Sequence, residues 1–173
     1  MVVAVFILGN QIFCLNVGDS RAVLCRKGKA ISLSVDHKST NEKEKKRVMN
    51  NGGNIFGGRL MGKLIVTRAF GDFSLKVQTD EMGTYFFKNY LTCEPEVRVI
   101  EIDADQDEFI MIASDGLFDK MTNQNCIDLI KNQINKLPHG TKDMHKVASI
   151  VAAKSIKRDK SKDNVTLIVI SLN

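Results

Sequence analysis

The sequence lacks several features that mark special classes of protein. Its 173 residues include no tryptophan and only two prolines, and no apolar run approaches the ~20 residues that a membrane-spanning helix needs. No CxxC pair occurs and the few histidines form no cluster with cysteine, which argues against a structural zinc site. No stretch rich in proline, glycine or serine separates two parts of the chain. We therefore predict one domain over residues 1–173 and expect no membrane partner.

The cysteines and the amino terminus indicate the compartment. Cys14, Cys25, Cys93 and Cys126 follow no disulfide spacing, and a chain of this size can bury a core without covalent links. We expect free, buried thiols in a reducing environment. The apolar opening Val2–Leu8 has no basic lead-in and no small-residue cleavage site, so it does not predict a signal peptide. The expected location is the cytoplasm, with the nucleus as the alternative.

The positive net charge of +5 is concentrated in one segment. Residues 26–68 carry eleven lysines and arginines against three acidic residues, whereas the rest of the chain carries 14 basic and 17 acidic residues. Such a segment suits nucleic acid, a phosphorylated partner or a solvated face. Aromatic residues do not alternate with these lysines as base stacking requires, so we predict no nucleic-acid partner.

Short apolar segments separated by turn residues predict antiparallel strands in the first third of the chain. The continuous apolar character of Val2–Leu8 predicts a central strand that is buried on both faces. The four predicted strands are Val2–Leu8, Gln11–Val17, Arg21–Arg26 and Lys29–Val35.

Helices are predicted by capping residues and by apolar spacing. Ser39 with Glu42 fits a capping box for a charged helix that faces water and stops at Asn51-Gly52-Gly53. Thr122 can cap a second helix, and Thr141 can start a third. A short strand is also expected at residues 64–67. Strands at 96–102, 109–113 and 165–170 complete an α+β fold of helices on antiparallel sheet.

The stretch 73–93 is irregular and rich in aromatic residues. Tyr85, Phe86, Phe87 and Tyr90 fall within six positions. One interpretation is a loop pinned to the body of the domain by these rings, and the other is a docking patch for a partner.

Three aspartates share a position at the end of an apolar strand. Asp19 follows the strand ending at Val17, Asp115 follows the strand ending at Ala113, and Asp163 precedes the last strand. Each of them alone is an ordinary turn residue. Together they form a set of short carboxylates that suits a hard divalent cation.

Other motifs carry less weight. The segment 57–63 fits G-x-x-x-x-G-K, but Leu64 replaces the serine or threonine of a phosphate-binding loop. No G-x-S-x-G elbow surrounds Ser114, so a serine hydrolase finds no support. His37 is either a general acid or a solvated loop histidine.

Six ordered blocks resemble the protein phosphatase 2C family, the metal-dependent serine/threonine phosphatases. The blocks span most of the chain, which makes the match specific. They are residues 16–22 (NVGDSRA), 36–38 (DHK), 67–72 (TRAFGD), 94–97 (EPEV), 113–119 (ASDGLFD) and 162–166 (KDNVT).

The resemblance implies an αββα sandwich of two antiparallel sheets with a binuclear magnesium or manganese centre at one end. Asp115 and Asp163 match two carboxylates of that centre. Asp19 matches an aspartate that helps to hold a third, weaker ion in some members. Asp119 is a candidate for orienting water beside the metals. The implied reaction is hydrolysis of phosphoserine and phosphothreonine in a phosphoprotein by metal-activated water.

Residues from about 36 to 67 resemble the family's flap, which concerns substrate choice. His37 is a candidate for protonating the leaving group. The basic residues of the flap either attract anionic phosphopeptides or only solvate an exposed helix. The candidates for substrate contact are Lys38, Lys43, Lys46, Arg47 and Arg59.

One departure from the family affects the expected activity. Family members carry an earlier Asp-Gly-His block that bridges both metals, and this chain has no such sequence. We therefore expect the chain to be the C-terminal portion of a phosphatase domain and to be inactive alone. The alternative is a catalytically inactive, phosphatase-like binding or regulatory module. If the chain folds alone, self-association through the strand Val2–Leu8 is expected.

Overall fold

The computed structural model describes residues 1–138, 141, 143–157 and 163–172. Runs of strands are interrupted by single helices, and three helices in succession precede the last strand. In chain order they are β1 (Val2–Leu8), β2 (Gln11–Val17), β3 (Arg21–Arg26), β4 (Lys29–Ser32), α1 (Glu42–Asn50), β5 (Ile55–Phe56), β6 (Arg59–Leu60), α2 (Phe73–Lys76), β7 (Val77–Thr79), β8 (Tyr85–Phe87), β9 (Glu96–Glu101), β10 (Asp107–Ala113), α3 (Asp115–Phe118), α4 (Asn123–Ile134), α5 (Met144–Lys157) and β11 (Leu167–Ser171).

Two antiparallel sheets form the body of the domain. One has the strand order β11-β10-β3-β4, and the other has the order β1-β2-β9. Helices α4 and α5 cover one face of the four-stranded sheet, where Ile127 and Ile130 pack with Phe109 and Met111. The opposite face packs on the three-stranded sheet. The helix, sheet and sheet layers confirm the predicted α+β class.

Strand β1 lies at the edge of its sheet and not at the centre, so that prediction is wrong. It pairs only with β2, which pairs with β9 on its other side. Alternation along the strand turns Val3 and Val5 into the core between the sheets and leaves Phe6 and Leu8 exposed. The apolar run predicts burial on both faces, whereas only one face of the strand is covered by the described residues.

Helix α1 has the predicted bounds but a different cap. Asn41 is the N-cap, and its side-chain oxygen accepts hydrogen bonds from the backbone N–H groups of Lys43 and Glu44. The predicted capping box is wrong because the Ser39 hydroxyl donates to the carbonyl of Gly58. The end of the helix at Asn51 is confirmed.

Several other bounds differ from the predictions by a few residues. Strand β4 ends at Ser32, and residues 64–67 form isolated bridges, such as Lys38 with Val66, where a strand was expected. Thr122 caps α4 as predicted, through a hydrogen bond from the N–H of Asn125. Helix α5 begins at Met144.

The aromatic stretch forms a small hairpin, β7 and β8, that projects from the body. Tyr85 and Phe87 are 73% and 77% exposed, and Phe86 is also exposed, so the interpretation of a pinned loop is wrong for these three rings. Tyr90 is buried and does anchor the segment. The three rings are exposed on both faces of the hairpin because a two-stranded ribbon has no second layer to cover it.

Two further predictions concern the burial of the four cysteines and whether a helix could cross a membrane. Cys14, Cys25 and Cys126 are buried and form no disulfide, as expected, and burial raises the pKa of Cys14 and of Cys25 to about 11. Cys93 is free but exposed, so burial was wrongly predicted for it. In the described part of the chain, no helix combines the length and apolar character that crossing a membrane requires.

Candidate active site

Strand pairing brings two of the predicted aspartates to one end of the four-stranded sheet. Strand β3 begins at Arg21, which pairs with Ala113 at the end of the antiparallel strand β10. Asp19 precedes Arg21 by two residues and Asp115 follows Ala113 by two residues. The antiparallel register therefore places both carboxylates beyond the same sheet edge, where they line one cleft.

Asp19 is a buried carboxylate with an unsatisfied oxygen. Its exposed fraction is 4%, and its Oδ1 atom has no hydrogen-bond partner in the described structure. Burial raises the pKa of Asp19, and the charge of Asp115 raises it further, against a smaller lowering by Lys38. An orphaned carboxylate oxygen beside a second carboxylate is the environment that a bound cation stabilises.

Asp163 lies beside the Asp115 turn through close backbone packing. A side chain at Gly116 would overlap the carbonyl oxygen of Asn164, and its Cβ would lie 3.4 Å from the Cβ of Asp163. The Ser114 hydroxyl donates to the same Asn164 carbonyl at 3.1 Å and accepts from the N–H of Thr166 at 3.1 Å. The absence of a side chain at position 116 thus allows the Asp163 loop to approach the Asp115 turn.

The donor set fits part of a site for a hard divalent cation. Asp19, Asp115 and Asp163 offer only carboxylate oxygens, which magnesium and manganese prefer. Within residues 1–138 and the later described segments, no three acidic, histidine or cysteine side chains lie close enough together to hold an ion. These residues would therefore contribute to a metal centre that needs further ligands.

Lys38 lies among three carboxylates, one of which is Asp19 of the cleft. Its Nζ atom is 3.7 Å from Asp19 Oδ2, 3.8 Å from Asp36 Oδ2 and 3.6 Å from Asp119 Oδ1. The ammonium group therefore balances acidic side chains in this structure, and its predicted contact with substrate stays a prediction. Asp119 is exposed and joins the site through this lysine.

His37 fixes the turn that carries Asp19. Its backbone N–H donates to the Gly18 carbonyl at 2.9 Å, and the Gly18 N–H donates to His37 Nδ1 at 3.2 Å. The ring is 2% exposed, so the expectation of a solvated histidine is wrong. Burial lowers the pKa of His37 and the charge of Arg68 lowers it further. A neutral ring suits an Nδ1 atom that accepts a hydrogen bond, while the predicted general-acid role stays a prediction.

The cleft combines both signs of charge. It has a volume of about 410 Å³, and the cations Arg59 and Lys63 line it together with Asp19 and Asp115. The Arg59 guanidinium donates to the Lys63 carbonyl at 2.9 Å, which joins the two cations at one turn of the flap. A phosphate monoester is an anion that could approach the cations while a metal ion neutralises the carboxylates.

Comparison with known proteins identifies the family of the chain. A sequence model described as protein phosphatase 2C matches residues 1–165. The chain belongs to the protein phosphatase 2C family. It is 37% identical to "Probable protein phosphatase 2C 21" of Oryza sativa subsp. japonica over 96% of the chain and 46% of that protein. It is 35% identical to "Protein phosphatase 1A" of Bos taurus over 97% of the chain and 42% of that protein.

Solved structures support the fold. A structure of a C. elegans sex determining protein superimposes with a TM-score of 0.78 at 25% identity, over 95% of this chain and 37% of the other. Serine-threonine phosphatase 2C from Toxoplasma gondii superimposes with a TM-score of 0.72 at 23% identity, over 98% of this chain and 57% of the other. The chain spans less than half the length of the curated relatives described above.

A buried charge network holds helix α1 within the segment 36–67, which was predicted to be a flap. Glu44 of α1 is 2% exposed and accepts hydrogen bonds from Arg68 at 2.7 Å, from Thr67 at 2.7 Å and from Arg47 at 3.0 Å. Burial raises the pKa of Glu44, but the hydrogen bonds from Arg68, Thr67 and Arg47 outweigh it and hold the pKa at about 2. The Thr67 hydroxyl also lies 3.0 Å from the carbonyl oxygen of His37, which links the network to the Asp19 turn.

The predicted flap cations occupy different surroundings. Arg47 donates to Glu44 and to the carbonyl groups of Thr67 and Tyr90, so it holds the flap to the body. Lys43 and Lys46 are exposed on α1, whereas Arg59 lines the cleft. A role of these residues in substrate binding stays a prediction.

Sequence reasoning missed three residues of this site. Lys63 ends the segment that fits a phosphate-binding loop only in part, so its sequence context gives no other role. Glu44 is one of the three acidic residues of the basic segment 26–68, and Asp72 ends the block TRAFGD. Asp72 and Lys63 line the cleft. Asp72 adopts a left-handed backbone conformation with φ of 53°, which is a conformation that aspartate tolerates better than most residues. The Gly71-Asp72 pair was the available signal for this turn.

Proposed function

We propose that the protein carrying this chain is a metal-dependent protein serine/threonine phosphatase. The observation that carries the proposal is the buried Asp19 Oδ1 atom, which has no partner in the described structure and lies beside the charge of Asp115. Such an arrangement is costly without a cation. Family membership and the names of the relatives support the choice of phosphate esters as substrates.

Asp19, Asp115 and Asp163 would hold magnesium or manganese, together with ligands from outside the described residues. When bound, divalent ions lower the pKa of water and neutralise the charge of a phosphoryl group. The chain's own residues set the geometry for this chemistry. The His37 ring and backbone hold the Gly18-Asp19 turn in place, and the lack of a side chain at Gly116 lets Asp163 approach.

Other residues of the cleft would handle the substrate and the charge balance. Arg59 and Lys63 lie on the flap side of the cleft and would attract the phosphate group. Lys38 keeps the Asp19 and Asp119 carboxylates oriented through ion pairs at 3.7 and 3.6 Å. These groups bind and orient, and the proposal requires no covalent nucleophile from the chain.

We further propose that this chain alone does not turn over substrate, since the described residues supply too few ligands for a complete centre. The test is to sequence the coding region upstream of Met1 and to assay both this chain and the extended reading frame on a phosphothreonine peptide with manganese. We expect an in-frame Asp-Gly-His block, turnover by the extended protein and none by this chain. Turnover by this chain that Asp115→Ala abolishes would overturn the fragment proposal.

An inactive binding module is the second candidate, and the exposed aromatic hairpin of Tyr85, Phe86 and Phe87 favours it. An extended protein that binds phosphopeptides through this chain but never hydrolyses them would support the module and contradict the enzyme. Hydrolysis that requires manganese would reject the module.

Self-association through strand β1 is also proposed. Among the described residues the strand pairs on one side only, and its sheet presents Phe6, Leu8, Val97 and Val99 to solvent. Unpaired backbone groups beside an apolar face favour pairing with a second copy. Size-exclusion chromatography with light scattering should give a dimer, and a monomer at all concentrations would reject the idea.

The buried free thiols favour the cytoplasm, a reducing compartment, as the place of action.

A further inference from the structure

A second cleft lies next to the cleft that holds Asp19 and Asp115. Its volume is about 430 Å³, and its lining includes the cations Lys63 and Lys88 with the polar side chains of Ser74 and Gln78. None of its lining residues is acidic. The first cleft therefore offers both signs of charge, whereas the second offers only positive charge and neutral hydrogen-bonding groups.

Lys63 belongs to both clefts and so connects them. Its backbone carbonyl accepts the Arg59 guanidinium hydrogen bond at 2.9 Å, which places a further cation at the same turn of the flap. A substrate chain whose phosphorylated residue lies in the first cleft would place a neighbouring residue in the second.

The cations of the second cleft have no acidic partner in the part of the chain that the structure describes. Lys131 pairs with Glu108 at 2.8 Å, and Lys38 lies within 4 Å of three carboxylates. No comparable ion pair involves Lys63 or Lys88, and the Lys88 ammonium lies 5.8 Å from the centre of the Phe86 ring. These positive charges are available to an anion from outside the chain.

We propose that this second cleft is a specificity subsite for an anionic side chain that flanks the phosphorylated residue of the substrate. The inference rests on the proposed phosphatase function and adds a substrate class to it. The ligand is a glutamate or aspartate carboxylate, or the phosphate of a second modified residue. Both ligands present anionic oxygens to Lys63 and Lys88, with Ser74 and Gln78 as neutral partners.

The expected effect is modest because the lysines are partly solvated. Each exposed ion pair contributes only modestly, so contacts of one anionic group with two lysines correspond to about a 2- to 30-fold gain in affinity. The gain should fall as salt is added, since exposed charges are screened.

The test is the affinity of fluorescent phosphothreonine peptides for the purified protein, measured by fluorescence anisotropy. One peptide has alanine at every flanking position, others carry a single glutamate at each flanking position in turn, and others carry a single phosphoserine there. Unphosphorylated versions of all peptides are included. We expect at least one position at which glutamate tightens binding, and phosphoserine should tighten it more because it carries more charge.

Two variants and a control separate the outcomes. Lys88→Gln keeps much of the aliphatic stem, so it should preserve the fold while it removes the glutamate advantage. Lys63→Ala should remove the advantage too, and it should also weaken the binding of every phosphorylated peptide because Lys63 lines the first cleft as well. Lys29→Ala removes an exposed lysine from strand β4 and should keep that advantage. An equal preference in Lys88→Gln and in the wild type, or no preference at any position, would overturn the subsite. If phosphorylated and unphosphorylated peptides bind equally, the proposed function itself fails.

Discussion

Glu44 and Asp19 are both buried carboxylates of one small region, yet their surroundings are opposite. Glu44 accepts hydrogen bonds from Arg47, Thr67 and Arg68, and its pKa is held at about 2. Asp19 has one oxygen with no partner in the described chain, and its pKa is raised by burial and by the charge of Asp115.

This difference in partners distinguishes Glu44, which belongs to a structural ion network, from Asp19, which is placed to bind a cation. Both side chains are almost fully hidden, at 2% and 4% exposure, so burial alone does not distinguish them. The partners do, because Glu44 already has its cations within the chain whereas Asp19 has only a distant ammonium, at 3.7 Å from its Oδ2 atom. The network should therefore matter for folding, and the Asp19 site should matter for ion binding.

Breaking the Glu44 network should have the largest effect. Glu44→Ala leaves the Arg47 and Arg68 guanidinium groups without their buried carboxylate, and we expect a loss of about 3–5 kcal/mol in the free energy of unfolding. Urea denaturation measures this loss. Glu42→Ala is the control, since Glu42 is exposed and pairs only with Lys45, so it should cost less than about 0.5 kcal/mol. Equal losses in the two variants would contradict the comparison.

The pH dependence of stability should reveal the same network. Because the folded-state pKa of Glu44 is lowered from 4.5 to about 2, its contribution is present above pH 4.5 and is lost as the pH falls toward 2. The contribution is of the order of 3 kcal/mol. Glu44→Gln should flatten the stability curve in this window, as measured by denaturation at a series of pH values. A curve as steep as that of the wild type would assign the acid sensitivity to other groups.

Removing the His37 ring should have an intermediate effect. His37→Ala takes away the acceptor of the Gly18 N–H, and we expect a loss of roughly 1–2 kcal/mol in unfolding free energy. His145→Ala, at an exposed position of α5, is the matched control and should be neutral. A neutral His37→Ala would show that the turn before Asp19 needs no support from this ring.

Neutralising Asp19 should have the smallest effect on the metal-free protein, and it should be of opposite sign to that of Glu44→Ala. Asp19→Asn removes a buried charge that faces Asp115, so we expect no loss and a gain of up to about 1 kcal/mol. Denaturation in the presence of a chelator measures it. A loss as large as that of Glu44→Ala would mean that Asp19 is structural and not a ligand.

Much of the fold could be predicted from local sequence. Thr122 and the apolar spacing of Ile127 and Ile130 defined helix α4, and turn pairs defined the hairpins of the first strands. The edge position of β1 could not be predicted, because an apolar run does not say which neighbours cover it. The cap at Asn41 could not be predicted because Ser39 and Glu42 fit the capping-box motif. In the structure the Ser39 hydroxyl donates instead to the distant carbonyl of Gly58, and Asn41 caps the helix.

The site was only partly predictable for a similar reason. Asp19, Asp115 and Asp163 were found because turns at strand ends are visible in the sequence. The partners that give each residue its role come from distant segments, as with Arg68 at Glu44 and Gly18 at His37. Neither the burial of Glu44 nor the shared position of Lys63 between two clefts follows from local sequence.

The central claim is that Asp19 and Asp115 form part of a divalent cation site. The most direct test is the melting temperature of the extended protein and of its Asp19→Asn and Asp115→Asn variants, with and without manganese, because this chain alone offers too few ligands for a complete centre. A ligand at about 100 times its Kd adds about 2.7 kcal/mol to stability, which corresponds to a rise of about 5 °C in the melting temperature. We predict this rise in the wild type and its loss in both variants. No rise in the wild type, or an equal rise in all three proteins, would contradict the account.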